Sequence, residues 1–268
     1  MKHLTIYLLF STLFLASCTQ YQKLLKSTDN DLKYKEANAY FEKKDYARAS
    51  QLLEDISTYF KNSDRAQDIL YTLAQCYMGE KDYYSASDEF KTYVKSYPRG
   101  EYAEDSYFMI GYCAYLNSPD PRLDQTSTYD AIQAFENFVD SYPQSDKVKQ
   151  AYEYLTQMKD KLAYKELLNA KLYYNLGTYM GNNYLSAVIV ATNALKKYPE
   201  TKYREDLMFI ILQSKYMEAV NSVDELKADR YRDVIDEYYN FVNEFPTGKD
   251  AKAALAMFNE AKKYTKEK

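Results

Sequence analysis

Three cysteines and one histidine are the side chains of this 268-residue chain best suited to metal or nucleophilic chemistry. His3 lies in a leader-like stretch, so the rest of the chain has no histidine for a catalytic triad or a zinc cluster. The six glycines, at 79, 100, 111, 177, 181 and 248, form neither a phosphate loop nor a dinucleotide fingerprint. Gly177 and Gly181 have GxxxG spacing, but in a polar segment, where a turn between helices accounts for them better. Carboxylates are plentiful and interspersed with lysines, the pattern of solvated helix faces. The expectation is a non-enzymatic chain with no catalytic residue and no metal site. Only Cys18 stands in a context that invites covalent chemistry.

Lys2 precedes a 12-residue apolar run, Leu4 to Leu15, too short to span a bilayer and suited to a signal-peptide core. Leu15-Ala16-Ser17-Cys18 follows and resembles the lipobox of bacterial lipoproteins. In that setting the Cys18 thiol takes a diacylglyceryl group, cleavage falls before it, and the new amine is acylated, commonly with palmitate. The alternative is an ordinary signal peptide with an accidental cysteine. Lipidation predicts a signal peptide over 1–17 and a lipidated arm over 18–29. Two or three acyl chains, at ~0.8 kcal/mol per buried methylene, anchor without spanning. No other cofactor is expected. Loss of Lys2 takes the formal charge from -4 to -5, which leaves no basic footprint for nucleic acid.

The elements behind these residues are helical repeats. Four times an aromatic residue runs into proline: Tyr97-Pro98, Tyr142-Pro143, Tyr198-Pro199 and Phe245-Pro246. From Gln67, the residues Leu70, Leu73, Ala74, Tyr77, Ala86, Phe90, Tyr93 and Pro98 fall at offsets 4, 7, 8, 11, 20, 24, 27 and 32 of a 34-residue tetratricopeptide repeat. An earlier copy from Asn30 has Ala37, Tyr40, Ala49, Leu53 and Ile56, with Lys61 in place of proline. The third has Tyr107, Ile110 and Gly111, then Ala131, Phe135 and Phe138, with an insert of about 8 residues that reads as a loop near 117–128. The fourth (Ala170, Tyr173, Ala187, Ala191, Ala194) carries its surplus at Gly177 to Asn183. In the fifth (Ser214, Met217, Val234, Tyr238, Phe241) the surplus lies near Asn221 to Asp229. A separate helix is expected from about Asp146 to Leu162, and a last one from Lys249 onward. This predicts an all-α tetratricopeptide-repeat superhelical solenoid of about five helix pairs plus a C-terminal helix, with repeats 1–3 over 30–145 and the remainder over 146–268. Cys76 and Cys113 both occupy repeat position 10, on equivalent faces of neighbouring helices 8 to 10 Å apart, so free buried thiols are favoured over a bridge.

Likeness to tetratricopeptide proteins implies that positions 2, 5, 9, 12 and 13 of each first helix line the concave face. In the first three repeats these are Asp31, Tyr34, Asn38, Phe41 and Glu42; Asp68, Tyr71, Gln75, Met78 and Gly79; Asp105, Phe108, Tyr112, Tyr115 and Leu116. Such an aromatic groove suits an extended peptide with apolar side chains; alternatively, some rings pack against a neighbouring repeat. The aspartates at 31, 68 and 105 either form a negative rail or complement helix dipoles, and the dipole role is favoured. Several of the 32 tyrosines sit at consensus packing positions, and tryptophan is absent, which weakens a carbohydrate platform.

The short arm, five repeats and extra helix, with Lys159-Asp160-Lys161-Leu162-Ala163, Glu166, Ala170, Tyr173-Tyr174, Ala187, Leu195 and Tyr198-Pro199-Glu200-Thr201, resemble the BamD family of β-barrel assembly lipoproteins. That resemblance implies a role in folding and inserting outer-membrane β-barrels. Unfolded clients would meet the groove of the amino-terminal repeats. A BamA-like POTRA barrel subunit would meet the carboxy-terminal repeats, through Lys196, Lys197, Lys202, Arg204, Lys215, Arg230 or Arg232, with other assembly lipoproteins as further partners. Val190 stands where some relatives carry arginine. Thr19-Gln20-Tyr21-Gln22 lacks an acidic surface-export cluster, which favours the periplasmic face of the outer membrane. The other readings are a SusD-like lipoprotein capturing glycans or peptides for a transporter, and an envelope scaffold.

Overall fold

The computed structural model describes residues 20–265, and all regular structure among them is helical. A helical stretch over residues 20–25 precedes α1 (Asn30–Glu42), α2 (Tyr46–Phe60), α3 (Ala66–Glu80), α4 (Tyr83–Ser96), α5 (Ala103–Asn117) and α6 (Thr126–Ser141). Then come α7 (Val148–Leu176), α8 (Asn183–Lys197), α9 (Arg204–Val220), α10 (Asp224–Glu244) and α11 (Ala251–Tyr264). The fold is all-α, a tetratricopeptide-repeat solenoid of successive helix pairs. Cys18, with its expected lipidation, and the expected leader lie outside the described residues.

Proline ends the second helix of a repeat by a steric route. The residue before proline is pushed out of the α region, and Tyr97, Tyr198 and Phe245 adopt nearly the same backbone, at φ -133, -130 and -124° with ψ 63, 65 and 62°. Each still donates its N–H to the carbonyl four residues back, at 2.7 to 2.8 Å, so the last turn closes before the chain leaves. Lys61, which lacks the following proline, keeps α-helical angles at φ -49°, ψ -32°.

Inside a repeat the two helices are joined by a different turn, used twice at the same register. Lys44 and Lys81 take left-handed angles, φ 61° and 65°. Asp45 and Asp82 then donate their N–H groups to Tyr40 O and Tyr77 O, both at 2.9 Å, a Schellman closure. The Asp82 carboxylate also accepts from Ser85 N at 3.1 Å and opens α4, as Asn182 does for α8 through Leu185 N at 3.2 Å.

The small residues set how closely helices approach. Ala37, Ala49, Ala74, Ala86, Ala131, Ala170 and Ala187 are fully buried. At Gly111 a Cβ would lie 2.9 Å from the Phe135 ring. The chain forms two compact units. One comprises the described residues up to Asn117 together with Gln133–Ala151. Its α1 to α5 pack each on the next, over a core that includes Leu52, Leu53, Ile56, Ile69, Leu73 and Phe90. The other comprises Ser118–Ile132 and the chain from Tyr152 onward. There α8 to α11 pack in sequence over Leu167, Leu207, Ile211, Leu212, Val234 and Phe241.

Two expectations change in detail, and a third, the loop after α5, is kept. The helix expected over 146–162 is continuous with the first helix of repeat four, as the 29-residue α7, because neither glycine nor proline interrupts 148–176. Most of the surplus near 221–229 lengthens α10, which begins at Asp224 and runs 21 residues. The insert after α5 is a loop, and it is held from several sides. The Gln125 amide donates to Asp120 O, Leu123 O and Asp124 O and accepts from Thr128 Oγ1 at 2.7 Å. Lys161 Nζ donates to Ser118 Oγ at 2.7 Å and to Ser118 O and Pro119 O, both at 3.2 Å. Lys165 Nζ reaches Leu123 O at 2.9 Å.

Candidate functional site

The rings expected to face a peptide lie on α1, α3 and α5, and each is also bound into its own unit. In α1, Tyr34 lies 6.1 Å from Phe60, and the Arg65 guanidinium sits 4.9 Å from the Tyr34 centroid. Phe41 meets Tyr46 edge-on at 5.8 Å, and Asn38 Nδ2 donates to Tyr34 O at 3.0 Å. In α3, Tyr71 stacks on Tyr102 with centroids 4.2 Å apart and planes 11° off parallel. Its hydroxyl donates to Asp105 and accepts from Gln75 Nε2 at 3.0 Å. Burial, reinforced by the bond to Asp105, raises the Tyr71 pKa and keeps the phenol protonated. Met78 is half-buried and receives the Cys113 thiol at 3.3 Å.

Phe108 departs most from the groove expectation. It is 5% exposed, edge-on to Phe135 at 5.6 Å and to Phe138 at 5.4 Å, with Lys147 Nζ 5.5 Å from its centroid. Its ring belongs to the core. Tyr112 and Tyr115 continue from it as a half-buried stack, with centroids 6.5 and 6.0 Å apart in turn.

The aspartates at position 2 are bonded to residues of neighbouring repeats. Asp31 ion-pairs with Arg65, and Asp68 accepts from Tyr102 Oη at 3.3 Å, each partner 34 residues on. Asp105 accepts from the Tyr71 hydroxyl and ion-pairs with Lys147, 42 residues ahead because the insert lies between. These bonds between successive repeats take the place of the free negative rail. A helix-dipole contribution is compatible with them, since Asp31, Asp68 and Asp105 all lie in first turns.

Of the basic residues expected to meet an assembly subunit, most have acidic neighbours. Arg204 makes a two-point contact with Glu244, with Nη2 to Oε2 at 2.9 Å. Lys215 bonds Glu237 at 2.5 Å, Arg230 lies 3.5 Å from Glu218, Arg232 pairs with Asp229, and Lys202 lies 3.8 Å from Asp160. Lys196 is exposed. Lys197 is exposed too, but its ammonium rests on rings, 5.1 Å from the Tyr129 centroid and 5.4 Å from that of Tyr198.

Two features were not anticipated. Residues 20–25, expected as part of an arm, pack on the first repeat through Tyr21, whose hydroxyl donates to Gln51 Oε1 at 2.7 Å. The Tyr21 ring is edge-on to Tyr40 at 5.6 Å and lies under the Arg48 guanidinium at 5.3 Å. The Tyr21-Leu24-Leu25 spacing was the available signal. The second is a cavity of about 410 Å³ walled by Tyr129, Ile132, Leu162 and the turn Lys197–Thr201; no local sequence pattern announces it. Cys76 and Cys113 are free and buried, and burial pushes both thiols up to about 12. Among the described residues no cluster of side chains could hold a metal ion, and no helix is long and apolar enough to cross a membrane.

Known proteins relate to this chain unevenly. No curated protein matches it. The TPR2AB domain of yeast Sti1, solved in complex with pHSP90, is similar at 14% identity and a TM-score of 0.38, over 87% of this chain and 98% of that one. The family model described as YfiO, outer membrane lipoprotein, matches residues 26–222, from just before α1 to the end of α9. That match runs through the first four repeats and the first helix of the fifth, with both stretches singled out around Asp160 and Tyr198, and the chain therefore belongs to the YfiO family of outer membrane lipoproteins, the family of BamD.

Proposed function

We propose that the chain is a non-enzymatic component of the β-barrel assembly complex. It would be an adaptor that brings unfolded outer-membrane β-barrel proteins to a BamA-like, POTRA-containing barrel subunit. Cys18 carries the lipid, and the repeats face the periplasm. The observation that carries this reading is the family match over residues 26–222. Two features support the division of labour. The half-buried Tyr112 and Tyr115 offer broad aromatic contact at low rotamer cost to a client strand. The carboxy-terminal repeats display Lys196 and Lys197 beside the salt-bridged Lys202 and Arg204. Anchoring confines the search for both partners to a surface and raises effective concentration without any added contact.

The test is to purify the full-length lipoprotein from detergent-solubilised envelopes and quantify the proteins that accompany it by mass spectrometry. A near-stoichiometric POTRA-containing barrel, with many barrels in small amount, is the expected result. A single nutrient transporter with no POTRA protein would overturn the reading in favour of ligand capture.

A further inference from the structure

The cavity beside Tyr198 combines an apolar interior with one cation that no carboxylate answers among the described residues. Its walls come from Tyr129 and Ile132 on α6, from Thr156 to Leu162 on α7, and from the turn that leaves α8. Leu162 and Tyr198 are buried and form a floor, whereas Tyr129 is 47% exposed at the mouth. An apolar hollow of about 410 Å³ has room for a large side chain, and side chains that surround such space normally close it.

Asp160 and the backbone of the turn beside it are satisfied internally. Asp160 accepts from Thr201 Oγ1 at 2.7 Å and from Lys202 N at 3.1 Å, with Lys202 Nζ at 3.8 Å. Glu200 lies within electrostatic reach of Arg204. Thr201 N donates to Tyr198 O at 3.2 Å, and Tyr203 N to Thr201 Oγ1 at 3.3 Å. Lys197 differs. Its ammonium sits over the Tyr129 and Tyr198 rings and donates to the Tyr129 hydroxyl at 3.4 Å, with no anion opposite among the described residues.

This arrangement narrows the occupant. A small molecule is usually fixed by several convergent polar groups, and here Asp160 and Thr201 are turned to each other while Lys197 rests on two rings without an acidic partner among the described residues. A chain terminus is usually captured by a nest of backbone N–H groups, and those at 201–203 are already bonded. The occupant that fits is an apolar side chain whose position is set by its own polypeptide, with an acid beside it. We propose that this cavity is a docking pocket for an internal segment of a partner protein, in which one aromatic or large aliphatic side chain fills the hollow and a neighbouring aspartate or glutamate pairs with Lys197. Lys197 also belongs to the face proposed for the assembly subunit, but the peptide measurement below reads the pocket alone, so the proposal can fail while the assembly role stands, and the reverse.

The test uses the full-length lipoprotein in detergent and fluorescein-labelled short peptides, acetylated and amidated, with Asp-Phe-Asp at the centre of a Gly/Ser sequence. Fluorescence anisotropy should show saturable binding with Kd below about 1 mM. Replacing the peptide's Phe by Ala should weaken it about tenfold or more. Replacing both Asp by Asn should weaken it several-fold for the native protein and leave it unchanged for Lys197→Met. Thr156→Trp, at an exposed position on the wall, should abolish the preference for Phe over Ala while circular dichroism stays native. Absence of saturable binding, equal affinity for the Phe and Ala peptides, or an acid preference that survives Lys197→Met would each overturn the proposal. Tighter binding of a peptide ending in a free Phe carboxylate than of the amidated internal sequence would overturn the assignment to an internal segment.

Discussion

Replacing Phe108 by alanine separates a packing role from a binding role at the centre of the expected groove. The ring is 5% exposed and makes edge-on contacts with Phe135 and Phe138. An aromatic side chain buries about 150–250 Å², and at ~25 cal/mol per Å² most of that term is lost on truncation to a methyl group. Each well-placed aromatic pair adds about 0.5–1.5 kcal/mol. The neighbours are rings on rigid helices that cannot collapse into the void, so the destabilisation should reach about 4 kcal/mol, inside the ~3–5 kcal/mol usual for such truncations. For a chain of this length that is a melting point lowered by roughly 8–16 °C. Thermal unfolding followed by circular dichroism at 222 nm measures it directly. A loss under about 3 °C would refute the assignment of Phe108 to the core. Tyr112→Ala is the companion measurement, because Tyr112 is half-buried and its truncation should cost far less stability.

Gly111→Ala should lower stability by about 1–3 kcal/mol in the same assay, because its new methyl would meet the buried Phe135 ring at 2.9 Å. Lys81→Gly should act the other way. Relief of its left-handed backbone, at φ 65°, is worth about 1 kcal/mol after the added freedom of the unfolded chain is counted, and differential scanning calorimetry should show a higher melting point. Burial raises the phenols of Tyr21, Tyr198 and Tyr231 to about 12, against 10 when unfolded. The folded state thus keeps protons that the unfolded state releases; this stability is complete below pH 10 and is lost as pH rises towards 12, which parallel titrations of tyrosinate absorbance and ellipticity should show. With their thiols pushed up to about 12, Cys76 and Cys113 should ignore Ellman's reagent in the native protein and both react in guanidinium; a third reactive thiol would mean that Cys18 carries no lipid.

The features best legible in the sequence were those with a steric cause close by in the chain. An aromatic residue before proline must leave the α region, and the three angle pairs at Tyr97, Tyr198 and Phe245 agree closely. Alanines at positions 8 and 20 were legible for a similar reason, since only small side chains let paired helices approach. Features that depend on partners distant in the chain were hidden. Nothing local distinguishes Phe108, which is buried, from Tyr112, which is half-buried four residues later. The aspartates suggested a rail or a dipole contact, and their bonds to Arg65, Tyr102 and Lys147 are visible only when the next repeat is in place. The loop near 117–128 had no assigned role because its clamps, Lys161 and Lys165, stand about 40 residues away. The cavity beside Tyr198 is a product of three segments and has no sequence signature of its own.

The packing of Tyr21 would set the length of a leash anchored at Cys18. A lipid on Cys18 would be joined to the buried Tyr21 by three residue steps, at most about 10 Å of fully extended chain. A freely hinged tether would let the first repeat turn in any direction and sweep a wide volume. A leash this short would hold Tyr21, Arg48 and the end of α1 near the headgroups and forbid most orientations of that repeat. The anchor would then act as a compass as well as a mooring, restricting which face of the first repeat an arriving chain encounters.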